Sequence, residues 1–251
     1  MERSKQIGFN RQIKLEWLDF TASLVLAGQS TAQIKKSLDD LLKDQLSIGS
    51  NAVRGSRGKA ITMLLSIWVT VPDHLIPLRD DALSHLKHLP SNEHLPLHWG
   101  MCMTAYPFFG SVAETAGRML GLQGHVLVSE LKKRMQEQHG QRETVVRSTR
   151  YVLQCFSGWD ILNETSERGV YELVAKQPVV GDRLISWLIE ATLLASDKAM
   201  APLKSLIRAP MLFPFALQTS GTFSNHLGRD LEYFRQGLDE EMVMLTKTSK
   251  R

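Results

Sequence analysis

His94, His98 and Cys102 stand four residues apart, a spacing that puts two imidazoles and a thiol on one face of a helix. Imidazole and thiolate are favoured zinc donors, and His-x3-His on a helix is a usable pair. His85 and His88 lie just upstream. The set lacks the tighter zinc patterns, such as paired C-x2-C knuckles or H-E-x-x-H. Cys102 also sits among Met101, Met103 and Tyr106, a setting that fits a buried, inert thiol. These five residues therefore read as scattered core and surface side chains, and no metal or other cofactor is expected.

A second candidate is SIGSNAVRGSRGKA, residues 47–60. It carries Gly49, Gly55 and Gly58 with Arg54, Arg57 and Lys59 and no acid, and it opens into the apolar run ITMLLSIWV. Backbone N–H groups and the helix dipole at such a helix start can hold a phosphate. A nucleotide-hydrolysing P-loop needs Gly, four residues, then Gly-Lys-Ser/Thr. Here Val53 stands where the first glycine belongs and Ala60 follows Gly58-Lys59, so the motif is broken. Two readings stay open: a solvated loop, or a phosphate contact to nucleic acid.

The third candidate is a helix face. Residues 132–150 hold six basic side chains (Lys132, Lys133, Arg134, Arg142, Arg147, Arg150) against Glu137 and Glu143. Thr144, Arg147, Ser148, Arg150 and Tyr151 fall opposite an apolar stripe of Val145, Val146, Thr149, Val152, Leu153 and Phe156. Arginine pairs bidentately with guanine or phosphate, and hydroxyls reach either, so such a face suits a major groove. Arg142 lies at the helix start, where backbone contacts occur. No nucleophile–base pair or paired-carboxylate motif is evident, and the chain is not expected to be an enzyme.

The elements around this face give it a position. Ser129 is expected to cap a helix carrying Leu131 and Met135, which ends at His139-Gly140. Residues 141–143 form a turn, and a second helix starts at 143 or 144 and closes at Ser157-Gly158. Trp159 plugs the core below it. Ile161-Leu162 and Val170, Tyr171, Leu173 read as strands joined by a tight turn at Glu167-Arg168-Gly169. Residues 124–173 so ordered resemble a winged helix-turn-helix, with Arg168 at the wing tip. That resemblance implies DNA contact by the second helix, or a structural or protein-binding role, since the module serves both. Residues 160–172 hold four acids (Asp160, Glu164, Glu167, Glu172) against Arg168, the wrong charge for a phosphate-gripping wing.

The remaining sequence reads as mostly α. Residues 1–10 form a polar arm. Helices are expected from Arg11 to Gly28, from Ser30 or Thr31 through AQIKKSLDDLLKDQL, near 77–89, from about 93 to a break at Pro107, from 111 to 120 with Gly121 as cap, over 183–196, and over 225–245. The apolar, proline-broken stretch 209–217 either packs back over the core, the better reading, or forms an exposed patch for docking a partner. Soft boundaries near 90 and 177 suggest an N-terminal helical domain (1–90), a winged helix-turn-helix domain (91–177) and a C-terminal helical extension (178–251). The only expected β-structure is the wing ribbon.

At 251 residues, 43% hydrophobic, 22% charged and a formal charge of +4, the composition is ordinary for a globular chain and permits a polyanionic partner without requiring one. Cys102 and Cys155 are the only cysteines, too few for a disulfide framework. No apolar leader is visible. The longest apolar stretch, 63–71, is interrupted by Ser66 and Thr70 and falls short of the ~20 residues that span a bilayer. A cytoplasmic location is expected.

SLDDLLKDQL, GSRGKAITMLLSIW, TAYPFFGSVAETAGRML and a helix-turn-helix ending in FSGWDIL occur in that order. In this outline residues 10–165 resemble the BrxA family of BREX phage-defence systems. The resemblance implies a small, mainly helical, DNA-binding accessory protein of a bacterial antiviral defence complex. It implies double-stranded DNA and other defence-complex subunits as partners, and no catalytic residues.

Overall fold

The structure is a computed structural model and describes residues 7–46, 55–220, 230–236 and 240–246. The chain is mostly α-helical, with ten α-helices and eight short strands among the described residues. No single helix there is long and apolar enough to cross a membrane.

Helix α1 (Leu15–Leu26) follows an extended strap rather than starting at Arg11, and Gly28, at φ 71°, turns the chain away. Ser30 caps α2 (Thr31–Leu42) in a reciprocal capping box with Gln33. Ile34, Leu38 and Leu42 form the buried stripe of α2. Helices α3 (Ser56–Trp68) and α4 (Ile76–Leu86) follow.

Pro107 separates α5 (Leu95–Ala105) from α6 (Pro107–Gln123). It forces Tyr106 out of the helical region, to φ −129° and ψ 87°, while itself fitting the first turn of the next helix. Gly124, at φ 79°, ends α6, not Gly121 as the sequence suggested: the helix runs three residues further. Helix α5 is the central element, buried from Leu95 to Thr104. Its Trp99 stacks on Phe156 at 4.9 Å and meets Phe109 edge-on at 5.0 Å, while its indole N–H donates to the Met211 carbonyl. The stretch 209–217 is thereby held in the core, with Met211, Leu212, Phe213 and Phe215 buried.

After α6 come β1 (His125–Leu127), α7 (Val128–His139), α8 (Glu143–Gly158), β2 (Leu162–Glu164) and β3 (Val170–Leu173). The three strands form an antiparallel sheet in the order β1-β3-β2. Ser129 lies inside α7 instead of capping it. The helix starts two residues earlier than that cap implies, and the Val128 N–H is satisfied by the Gly169 carbonyl of the β2–β3 turn.

The C-terminal part keeps the helix expected over 183–196 but replaces the one expected over 225–245 with strands. Strand β4 (Gln177–Val180) leads into α9 (Asp182–Ala195), β5 (Met200–Pro202), α10 (Leu203–Ile207), β6 (Phe215–Gln218), β7 (Leu231–Gln236) and β8 (Glu240–Leu245). β4 pairs parallel with β6, and β5-β8-β7 form an antiparallel sheet. The helix expected over 225–245 is a β-hairpin wherever that stretch is described, because Met242 and Val243 pair with β5 and β7 together. β-structure is thus not confined to the 160–173 hairpin.

Candidate nucleic-acid interface

Helix α8 carries the basic face, and its buried side sets its orientation. Val145, Thr149, Val152, Leu153 and Phe156 are buried, and Val146 is half-buried. A three-residue turn, 140–142, joins α7 to α8, with Gly140 at φ 94°. Arg142 stands as the residue before the helix and donates to the His139 carbonyl at 2.9 Å. Arg142, Thr144, Arg147 and Arg150 are exposed and Tyr151 is half-buried. Ser148 departs from the expectation: it is only 5% exposed, since a residue three positions from Val145 turns partly toward the core.

A groove of about 570 Å³ runs along the first half of α8. Arg142, Thr144, Arg147, Ser148 and Tyr151 form one wall, Lys59 of α3 enters from another, and the strap supplies Ile7, Gly8, Asn10 and Arg11. Among the described residues the lining contains four cations and no carboxylate. Among the described residues none of Arg11, Lys59, Arg142 or Arg147 makes an ion pair. Positive charge is therefore concentrated in the described lining beside the N-terminus of α8, where Glu143 is the one acid of the first turn.

The strap was the part that sequence reasoning missed. Residues 7–10 are not a free polar arm: Phe9 is fully buried between Tyr106 and Phe109. The Ile13 N–H meets the Cys155 sulfur at 3.2 Å, and its carbonyl accepts from the Trp159 indole at 2.8 Å. Gln12 donates to the Gln154 carbonyl at 3.0 Å. This seam lays Arg11 over the Tyr151 ring at 5.6 Å from its centroid, with Arg150 at the same distance. The available signal was Phe9 and Ile13, large apolar side chains inside a polar run.

The other expected contacts separate. Arg57 is turned to Asp39 of α2, at 2.9 Å, and is not free for phosphate. Arg54 lies outside the described residues. Arg168 is exposed at the β2–β3 turn but does not line the groove, and that turn is organised by acids: Glu164 accepts from the Gly169 N–H at 2.8 Å. Arg150 also stands outside the lining.

Of the histidine group, His94 and His98 converge with Asp19 of α1, and His85, His88 and Cys102 do not join them. Cys102 is buried beside Cys155. Burial first, then that neighbour, pushes the Cys102 thiol well up, and burial holds Cys155 at about 12 against the pull of the Ile13 N–H. Both are inert thiols at neutral pH. No family model, no curated protein and no solved structure matches this chain.

Proposed function

We propose that residues 124–173, with α6 ahead of them, form a winged helix-turn-helix and that the protein binds double-stranded DNA, with α8 in the major groove. The order α6, β1, α7, α8, β2, β3 and the sheet order β1-β3-β2 support the first part, being the layout of that module. The observation that carries the second part is the groove along α8, where Arg11, Lys59, Arg142 and Arg147 meet with no acid among the described lining residues. Phosphates follow that groove, and Thr144, Arg147 and Arg150 face the bases. The protein acts non-enzymatically in the bacterial cytoplasm, as an accessory subunit of a phage-defence complex or as a regulator, and other defence subunits are further partners.

A gel-shift titration with duplex DNA at two salt concentrations tests this. Wild-type binding falls steeply with salt, and Arg147→Ala/Arg150→Ala weakens it at least ~10-fold at low salt. A double variant that binds as tightly as wild type removes α8 from the interface.

The acidic turn supports a second reading, a protein-interaction adaptor that docks other subunits through the hairpin. Glu164, Glu167 and Glu172 are exposed there and would repel phosphate. The stretch 209–217 no longer serves that reading, because its large side chains are buried. Stoichiometric co-purification of partners together with no duplex binding selects the adaptor.

A further inference from the structure

Away from the groove, three side chains from two helices point at one spot. Asp19 projects from α1 toward His94, at the start of α5, and His98, one turn on. Asp19 Oδ1 lies 2.6 Å from His94 Nδ1 and 2.8 Å from His98 Nε2. One donor atom from each residue lies within 4.8 Å of the others. His98 is fully buried, while the Asp19 side chain is 32% exposed, so water reaches the cluster from that side.

Hydrogen-bond accounting calls for a positive charge at this cluster. His94 Nε2 faces the Leu89 carbonyl oxygen at 3.0 Å, while its Nδ1 faces the Asp19 carboxylate. Both partners are acceptors, and a neutral imidazole has one N–H. A neutral His94 therefore sets a lone pair against a lone pair on one side of its ring. A second ring proton or a metal cation at Nδ1 removes the conflict; with the metal, the lone pair there binds it and the N–H donates to Leu89. Metal-ligating histidines commonly donate their second nitrogen to a backbone carbonyl in this way. His98 Nδ1 is buried without a partner whichever nitrogen holds the proton, so it does not discriminate.

We infer that Asp19, His94 and His98 form a binding site for a divalent transition cation of the zinc class, with water completing the coordination. Two imidazole nitrogens and one carboxylate oxygen suit zinc, cobalt or nickel, whereas calcium and magnesium take all-oxygen shells. Tetrahedral zinc, with donors at ~2.0–2.1 Å, holds them ~3.3 Å apart. The two short contacts therefore open by about half an ångström on binding, a small side-chain adjustment. Bound there, the cation ties α1 to α5. His98 meets the Trp68 ring of α3 edge-on at 5.4 Å, so the tie also reaches the helix that carries Lys59.

The test is calorimetric titration of zinc chloride into chelator-treated, dialysed full-length protein, with cobalt(II) as a spectroscopic probe. One equivalent of zinc per chain is expected. The cobalt complex should show visible d–d bands without a thiolate charge-transfer band, because neither cysteine takes part. His94→Ala and Asp19→Asn should each weaken zinc binding by more than ~100-fold, the upper end of the loss for an outer-shell partner. Cys102→Ser should leave it unchanged. If a ligand variant does not fold, wild-type melting decides: zinc at ~100 times its Kd should raise Tm by about 5–10 °C, reversed by chelator. No zinc binding by the wild type, or equal affinity in folded His94→Ala and Asp19→Asn, overturns the site.

Discussion

Glu190 is an acid in the middle of the apolar run of α9, and its surroundings decide what it costs the fold. It is 3% exposed. Burial, with Asp230 and Asp81 nearby, raises its carboxyl to about 8. An unfolded glutamate releases its proton near the ordinary value of 4.5. Between those values the folded chain holds a proton that the unfolded chain has lost, so stability falls as pH rises, by up to ~1.4 kcal/mol per pH unit. Below that window both states are protonated and the cost vanishes. Glu190→Gln should therefore match wild type near pH 4.5 and exceed it by about 2–4 kcal/mol at pH 8, read from urea denaturation. Parallel pH profiles for the two proteins would contradict this account of Glu190. The signal was present in the sequence as an acid inside LISWLIEATLL, but periodicity counts apolar positions and passes over a lone polar one.

Helix α6 makes the same point for an element, through two glycines that look alike in sequence. A methyl group on Gly117 would lie 1.9 Å from the Pro210 carbonyl oxygen, so the 209–213 stretch can pack on α6 only because that side chain is missing. Gly121, one turn on, faces open space. Gly117→Ala should destabilise by at least ~1–3 kcal/mol through overpacking. Gly121→Ala should stabilise by up to ~1 kcal/mol through helix propensity alone. Thermal melts of the two variants shifting in the same direction would refute the packing argument. Local signals served the elements well where the decision was local: the start of α2 at Ser30 or Thr31, the Pro107 break and the α7–α8 turn at Gly140 were all legible. They failed over 225–245, where Leu231, Phe234 and Met242 fit a helical spacing. There the outcome rests on pairing with Met200–Pro202, about forty residues away, which no window along the chain contains.

At the scale of the molecule the basic groove is a product of the fold, since its cations come from the strap, from α3 and from α8. Along the sequence Lys59 and the 142–151 face are separate patches. Nothing local joins them or marks Arg11, because their meeting depends on Phe9 and Ile13 seating the strap beside α8. Nor does the sequence show that Arg57, two residues from Lys59, is tied to Asp39. This difference gives the proposed duplex binding a quantitative test. Each phosphate neutralised contributes about −0.9 to the slope of log K against log salt, so the three groove cations left to the phosphates, Arg11, Lys59 and Arg142, imply roughly −2.7. Lys59→Ala should flatten that slope by about 1 and weaken binding equally for unrelated DNA sequences, although it lies more than eighty residues from α8. Arg57→Ala, a loss of the same formal charge on the same helix, should leave the slope unchanged. The comparison separates a groove assembled by the fold from a merely basic protein, for which both substitutions would flatten the slope alike.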